Sequence, residues 1–83
     1  MTRSEILKET QKVFRQVFGD EKLAVEETTT VDDIALWDSM THLELITEVE
    51  QKFGIKFSFQ ETMDFQSVRD IINQIESRLS GGR

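Results

Sequence analysis

The amino-acid sequence predicts an all-α fold, a four-helix bundle with three long helices, one short third helix and a long first loop. Apolar residues recur at three- and four-residue spacing near both ends and in the middle of the chain, which is the period of amphipathic helices. With 83 residues, 37% hydrophobic and 31% charged, the chain is typical of one small domain that folds. We therefore expect one domain over residues 1–83, ordered from about residue 2 to 79, with residues 80–83 as a flexible tail.

The first predicted helix begins at a capping box, in which the Thr2 and Glu5 side chains each satisfy a backbone donor. Gly19 follows the last apolar residue and can adopt the left-handed conformation that ends helices. The apolar stripe between these two signals contains Ile6, Leu7, Thr10, Val13, Phe14, Val17 and Phe18.

Residues 20–37 show no sustained period, and a run of three threonines together with acidic pairs favours a loop. Loops this long are unusual in small domains and are more often functional or packed on themselves than idle. We expect this loop to cross the bundle, with a short turn of helix near residues 31–34. Its apolar side chains are predicted to enter the core: Leu23, Val25, Val31, Ile34, Leu36 and Trp37.

The second long helix is predicted to begin at Asp38 or Ser39, both favoured at helix starts, and to end before Gly54. Glu44 and Glu48 lie on a face of this helix that leads away from Ser39 and forms an acidic ridge. The buried face is expected to contain Met40, Leu43, Ile46, Val49 and Phe53.

Residues 55–59 alternate between apolar and polar, which in isolation suggests a strand. We reject a strand because it would have no partner elsewhere in the chain. An extended connection and a short helix over about residues 59–63, capped by Ser58 with Glu61 three residues later, fit better. The last helix is expected from about Ser67 to Leu79, burying Val68, Ile71, Ile72, Ile75 and Leu79.

The net charge of −6 lies entirely between residues 31 and 64, because the rest of the chain is neutral. Such a field repels the phosphates of nucleic acids and anionic lipids and attracts basic protein surfaces, so we expect neither a nucleic-acid nor a membrane partner. No apolar run approaches a membrane span and the N-terminus lacks a signal-peptide layout, which favours a cytoplasmic location. The absence of cysteine and the single histidine argue against a metal site.

The tripeptide Asp38-Ser39-Met40 lies where the long loop meets the second long helix. A serine hydroxyl there is expected to be exposed and fixed in direction. Backbone N–H groups at a helix N-terminus are unpaired and carry partial positive charge, so they would favour a phosphate bonded to Ser39. Because the chain has no cysteine, any thiol chemistry has to come from an added group.

Residues 36–55 closely resemble the second helix of the acyl carrier and peptidyl carrier protein family. The shared pattern is an Asp-Ser-Leu-like site, apolar residues at helical spacing, an acidic stretch and Phe-Gly-Ile, here Phe53-Gly54-Ile55. The order of helices extends the resemblance over nearly the whole chain, with Ser67-Val68 introducing the last helix. It implies a bundle of acyl-carrier type.

The resemblance implies that Ser39 receives 4'-phosphopantetheine from coenzyme A through a separate phosphopantetheinyl transferase, with Asp38 in the same site. The thiol of that group would carry acyl intermediates as thioesters between acyl-loading and acyl-using enzymes, and the chain would be a non-catalytic monomer. Met40, Glu44 and Glu48 would contact partner enzymes with basic docking surfaces.

Trp37 and His42 depart from the fatty-acid carriers and resemble the discrete carriers of specialised biosynthetic pathways. We interpret Trp37 as a core plug, or otherwise as part of the partner-binding surface. We interpret His42 as an exposed helical histidine, or otherwise as a group that approaches the phosphate when protonated.

Two other functions fit the sequence less well than a carrier does. A hydrolase using Ser39 with His42 lacks an oxyanion hole and a pocket, and the acidic residues lack the spacing of a calcium loop. The alternative that stays open is an unmodified acidic helical protein-interaction domain. The sequence leaves the acyl or aminoacyl cargo and the pathway open.

Overall fold

The computed structural model describes residues 1–81, which form four α-helices and one turn of 3₁₀ helix. Helix α1 spans Arg3–Phe18, the 3₁₀ helix Val31–Asp33, α2 Ser39–Phe53, α3 Phe59–Asp64 and α4 Val68–Gly81. This order confirms the predicted all-α bundle with a short third helix and a long first loop. Over residues 1–81 the only β-type pairing is an isolated bridge between Thr30 and Ser67, so rejecting a strand at residues 55–59 was correct.

The ends of α1 and α2 follow the predicted signals. The Thr2 Oγ1 accepts from the Glu5 N–H over 3.1 Å, and the Glu5 carboxylate accepts from the Thr2 N–H over 2.7 Å. Gly19 and Gly54 end α1 and α2 with φ of 65° and 66°, the left-handed conformation in which a side chain is strained. The Ser58–Glu61 capping box likewise starts α3.

Helix α4 ends two residues later than predicted, at Gly81, and in its last turn the Ser80 hydroxyl donates to the Glu76 carbonyl over 2.8 Å. Leu79 is exposed, so its predicted burial was wrong. The physical reason is that α1 begins only at Arg3, so Leu79 lies at the end of the bundle beside an open pocket that the exposed Met1 also lines. Gly82 and Arg83, which the predicted tail also included, lie outside the described residues.

The core lies between the helices and the long loop. Trp37 is 6% exposed and meets Phe14 edge-on, with ring centroids 5.2 Å apart, which confirms the interpretation of Trp37 as a core plug. Val25 and Ile34 are buried as predicted, whereas Leu36 is 60% exposed and its predicted burial was wrong. The full set of buried apolar residues is Ile6, Val13, Phe14, Phe18, Val25, Ile34, Trp37, Leu45, Ile46, Val49, Phe65, Val68, Ile71, Ile72 and Ile75.

The long loop is fastened across the bundle by backbone hydrogen bonds to the connection between α3 and α4. The Val31 N–H donates to the Gln66 carbonyl over 3.2 Å, and the Val68 N–H donates to the Thr29 carbonyl over 2.9 Å. Arg3 adds ion pairs to Glu27 in the loop, over 2.8 Å. The loop therefore crosses the bundle as predicted and positions the start of α2.

No helix within residues 1–81 has both the length and the apolar composition needed to span a bilayer.

Candidate functional site

Ser39 is the first residue of α2, and its side chain is exposed at the junction between the long loop and the helix. The hydrogen bonds of this turn are made by its neighbours, and within residues 1–81 none of them uses the Ser39 hydroxyl. The oxygen expected to point outward at a helix start is therefore available for modification.

Asp38 caps α2 with one carboxylate oxygen, which accepts from the N–H groups of Met40 and Thr41, each over 3.0 Å. The Thr41 N–H bond is the main reason that the pKa of the Asp38 carboxyl lies below its usual range. The negative charge of Asp38 is thus held beside Ser39 at neutral pH.

This cap corrects the expectation that unpaired N–H groups at the helix start would hold a phosphate on Ser39. Two of those donors already bind Asp38, and the His42 N–H donates to the Asp38 carbonyl over 2.8 Å. In the first turn of α2 as described, the Ser39 N–H and the helix dipole are the features that remain to stabilise a phosphate. Because the Asp38 carboxylate would also repel a phosphate, this turn is not a preformed anion site.

Thr41 locks the turn that presents Ser39. Its hydroxyl oxygen accepts from the Asp38 N–H over 2.8 Å, and its O–H donates to the Leu36 carbonyl over 2.7 Å. Leu36 and Asp38 are therefore tied to the helix on both sides of the buried Trp37. This arrangement fixes the direction of the Ser39 Cα–Cβ bond relative to the bundle.

A groove of about 230 Å³ lies beside Ser39, between the start of α2 and the end of α3. It is smaller than the ~300–1,000 Å³ typical of small-molecule sites, so it suits part of a slender chain better than an enclosed ligand. The residues around it are Val31, Trp37, Asp38, Ser39, His42, Met63, Phe65 and Gln66.

His42 forms part of that groove but is only 9% exposed, so the interpretation of His42 as an exposed histidine was wrong. Its Nδ1 accepts from the Trp37 indole N–H over 2.9 Å, and its Nε2 lies 2.7 Å from the Thr62 carbonyl oxygen. Both ring nitrogens are occupied within the protein. The imidazole therefore has no free nitrogen to offer to Ser39 or to a phosphate.

The buried face of α2 contains His42, Leu45, Ile46 and Val49. Met40 is 77% exposed and Leu43 is 52% exposed, so their predicted burial was wrong, while Phe53 is half-buried. Leu43 is one turn after Ser39, and residues four apart share a helix face, so an outward Ser39 places Leu43 outward as well. Leu36, Met40 and Leu43 are thus exposed apolar residues within four positions of Ser39, and these three are called the apolar rim.

Glu44 and Glu48 lie on the outer side of α2, with Glu44 exposed and Glu48 half-buried. Neither takes part in the ion pairs formed by residues 1–81. The sequence pattern predicts this acidic ridge but not the exposure of Leu36 and Leu43. Leu43 lies one helical turn after Ser39, and this spacing is the sequence feature from which its exposure could have been predicted.

The chain matches known proteins over most of its length. A family model described as "Phosphopantetheine attachment site" matches residues 8–75. An acyl carrier protein of Coprothermobacter proteolyticus is 32% identical over 80 residues, which are 95% of this chain and 96% of that protein. The chain belongs to the acyl carrier protein family.

This chain is also similar to a carrier of known structure and to a carrier named for a specialised product. The holo acyl carrier protein of Geobacter metallireducens superposes with a TM-score of 0.84 at 31% identity, covering 93% of this chain and 88% of that one. The anthracycline acyl carrier protein DauA of a Streptomyces species is 28% identical over 76 residues, 88% of this chain and 89% of that protein. This acyl carrier holds 4'-phosphopantetheine covalently and carries acyl groups, rather than acting as an unmodified interaction domain.

Proposed function

We propose that the Ser39 Oγ is the atom that carries 4'-phosphopantetheine. The observation that supports this assignment is the exposed hydroxyl at the first position of α2, which makes no hydrogen bond within the described residues. In the transfer, a bond forms between Oγ and the phosphorus of the pantetheine half of coenzyme A. The pyrophosphate link breaks, the nucleotide half leaves, and the hydroxyl proton passes to a base on the transferase.

The residues around Ser39 fit such a group. When bound, it supplies the thiol that holds an acyl chain as a thioester. Asp38 and Thr41 fix the turn that directs the attachment point, and Met63 and Phe65 provide an apolar wall in the adjacent groove. Because tethering raises the effective concentration of the cargo near each partner, positioning is the contribution that this chain makes.

We assign no catalytic role to the chain itself. The basic side chain nearest in sequence to Ser39 is His42, and both of its ring nitrogens are engaged, with Trp37 and with the Thr62 carbonyl. A serine hydrolase needs a base that accepts the serine proton. His42 in this arrangement cannot serve as one, which argues against the Ser39–His42 hydrolase.

The partner-binding surface combines the apolar rim with the acidic ridge. Met40 is an exposed apolar anchor next to Ser39, and Glu44 and Glu48 face basic docking surfaces of partner enzymes. Individual exposed ion pairs are weak and screened by salt, so selectivity comes from several acting together. Trp37 contributes to this surface indirectly, because its buried indole orients Leu36 and Asp38 on either side.

The assignment of Ser39 is tested by incubating the chain with coenzyme A and a permissive phosphopantetheinyl transferase and weighing the intact protein. The parent gains one phosphopantetheinyl group and Ser39→Ala gains none. Ser4→Ala is the matched control, because Ser4 is also an exposed serine in the first turn of a helix. Modification of Ser39→Ala, or loss of modification in Ser4→Ala with Ser39 intact, would overturn the assignment.

The docking role of the ridge is tested by the double variant Glu44→Lys and Glu48→Lys. Transfer by the same enzyme should slow several-fold at low ionic strength, without a loss of folding, and the difference should shrink in high salt. Glu21→Lys with Glu26→Lys makes the same charge change on exposed loop residues and should leave the rate near that of the parent. Equal rates for both double variants would contradict the proposal.

We further propose a monomeric carrier in the cytoplasm that serves one specialised pathway. The support for the pathway is the Trp37–His42 pair, together with two anthracycline acyl carriers among the relatives, each 28% identical over 76 residues. Size-exclusion chromatography with light scattering tests the monomer. Transfer of thioester cargo from the loading enzymes of such a pathway, but not from fatty-acid enzymes, tests the pathway.

A further inference from the structure

The side chains of this protein that a peroxide can reach and oxidise are its methionines. The chain has three methionines and no cysteine, and its one tryptophan, Trp37, is only 6% exposed. Met1, Met40 and Met63 are 65%, 77% and 48% exposed. Because a thioether is oxidised where solvent reaches its sulfur, all three are accessible to peroxide.

Two of these methionines lie at the Ser39 site. Met40 follows Ser39 in the first turn of α2 and is the most exposed of the three. Met63, on α3, lines the groove beside Ser39. Met1 instead lines a pocket with Leu79 of α4, and that pocket shares no residue with the groove. A chemical change at Met40 or Met63 therefore alters the surroundings of Ser39.

The bundle can accept an oxygen atom on the Met40 sulfur. Met40 is not part of the buried core, and its N–H donates to the Asp38 carboxylate over 3.0 Å, so the helix start does not depend on the Met40 side chain. Oxidation to the sulfoxide turns a flexible apolar side chain into a polar one. A polar group in solvent needs no partner inside the protein, so the effect is confined to what binds at Ser39.

We propose that Met40 is a redox-sensitive switch, and that its oxidation by hydrogen peroxide or an alkyl hydroperoxide slows the modification of Ser39. An S–O bond forms between the Met40 sulfur and one peroxide oxygen while the O–O bond breaks. The sulfur loses two electrons, and the other oxygen keeps the electron pair, takes a proton and leaves as water or an alcohol. Methionine sulfoxide reductases with a thiol reductant return the thioether, so the change is reversible.

The physical reason for the slower modification is the loss of an apolar contact next to the attachment point. The proposal rests on the assignment of Ser39 and on the role of Met40 as an apolar anchor, both proposed above. A transferase that packs an apolar surface on the thioether would have to leave the sulfoxide oxygen solvated or unpaired, and an unpaired polar group in an interface costs free energy.

The test keeps oxidation separate from modification. The unmodified chain is treated with hydrogen peroxide, the peroxide is destroyed with catalase, and the chain is transferred to fresh buffer before coenzyme A and a phosphopantetheinyl transferase are added. Each sulfoxide adds about 16 Da, and peptide mapping locates it. Modification of the chain oxidised at Met40 should be roughly three- to tenfold slower, and the reductases with dithiothreitol should restore the untreated rate. An unchanged rate, or a slow rate that the reductases do not reverse, would overturn the proposal.

Two substitutions assign the effect to one sulfur. For each variant the measured quantity is the ratio of its modification rates after and before peroxide treatment, so a change in the untreated rate does not enter. Met40→Leu keeps an apolar side chain without a thioether, and its ratio should be close to one. Met63→Leu is the matched control and should slow on oxidation as much as the parent. Slowing in Met40→Leu, or its absence in Met63→Leu, would contradict a switch at Met40.

Urea unfolding followed by Trp37 fluorescence shows whether the oxidised chain stays folded. The oxidised parent should keep the unfolding midpoint of the untreated chain, and unfolding on oxidation would overturn a local switch. Failure of the proposed function gives a different result. An untreated chain that gains no mass from coenzyme A and transferase refutes the assignment of Ser39, whereas a chain modified equally fast before and after oxidation at Met40 refutes the switch alone.

Discussion

The Trp37 indole N–H donates to the Nδ1 of His42 over 2.9 Å, and the two rings stack with centroids 6.1 Å apart. Because Nδ1 accepts this bond, the ring proton is on Nε2, which donates to the Thr62 carbonyl over 2.7 Å. A neutral imidazole thus joins the end of the long loop, the first turn of α2 and α3. The groove beside Ser39 is built on this link.

Replacing His42 by alanine should destabilise the bundle. The change leaves the buried Trp37 N–H without an acceptor and opens a cavity, so we expect a loss of about 2–4 kcal/mol in the free energy of unfolding. Urea unfolding followed by the fluorescence of Trp37, the one tryptophan of the chain, measures this. Thr47→Ala at an exposed position of the same helix is the control and should change stability by under about 0.5 kcal/mol. A loss for His42→Ala as small as that of the control would show that the link does not stabilise the fold.

Asp38 is expected to matter more for modification than for folding. Asparagine is also a good helix cap, so Asp38→Asn should keep the melting temperature within about 2 °C, while Asp38→Ala should lower it by roughly 4–8 °C. Both variants lose the charge beside Ser39 and should be modified several-fold more slowly at low ionic strength. Differential scanning fluorimetry and intact-mass kinetics measure the two effects. Parental modification rates for Asp38→Asn would limit Asp38 to a capping role.

Glu61 should contribute to a loss of stability in acid. Hydrogen bonds from Arg78 and then from the Ser58 N–H lower the pKa of Glu61 from 4.5 to about 2. A carboxyl whose pKa is lower in the folded state stabilises the fold above its unfolded value, and this contribution is lost as the pH falls from about 4.5 towards 2. The advantage in stability of the parent over Glu61→Gln should therefore shrink over that range in urea unfolding. A constant difference from pH 7 to pH 2.5 would contradict the assignment.

Most of the fold was predictable because its signals are local. The Thr2–Glu5 and Ser58–Glu61 capping boxes and the glycine that ends α2 act over a few residues and appear in the structure as predicted. The solvent-facing Ser39 was also predictable, since its flanking residues define a helix start.

The buried face of α2 was not predictable from hydrophobicity alone. A histidine lies where an apolar residue was expected, since Trp37 and Thr62 satisfy both of its nitrogens. Trp37 and Thr62 both lie more than one helical turn from His42 in the sequence. The periodicity of α2 therefore does not predict these two contacts. Because His42 faces inward, Met40 and Leu43 lie outward beside Ser39, where they are accessible to a partner protein.

Two apolar residues of α2 should therefore respond in opposite ways to truncation. Met40→Ala should change the free energy of unfolding by under about 0.5 kcal/mol, because the side chain is largely exposed, but it should slow modification by the transferase several-fold. Leu45→Ala should cost about 2–5 kcal/mol, because Leu45 is fully buried, yet it should be modified at the parental rate at temperatures where it stays folded. Urea unfolding and intact-mass kinetics on the same preparations separate the two effects. If Met40→Ala were modified as fast as the parent, the apolar rim would be left without a role in transferase recognition, and the charges of Asp38 and the acidic ridge would have to account for it.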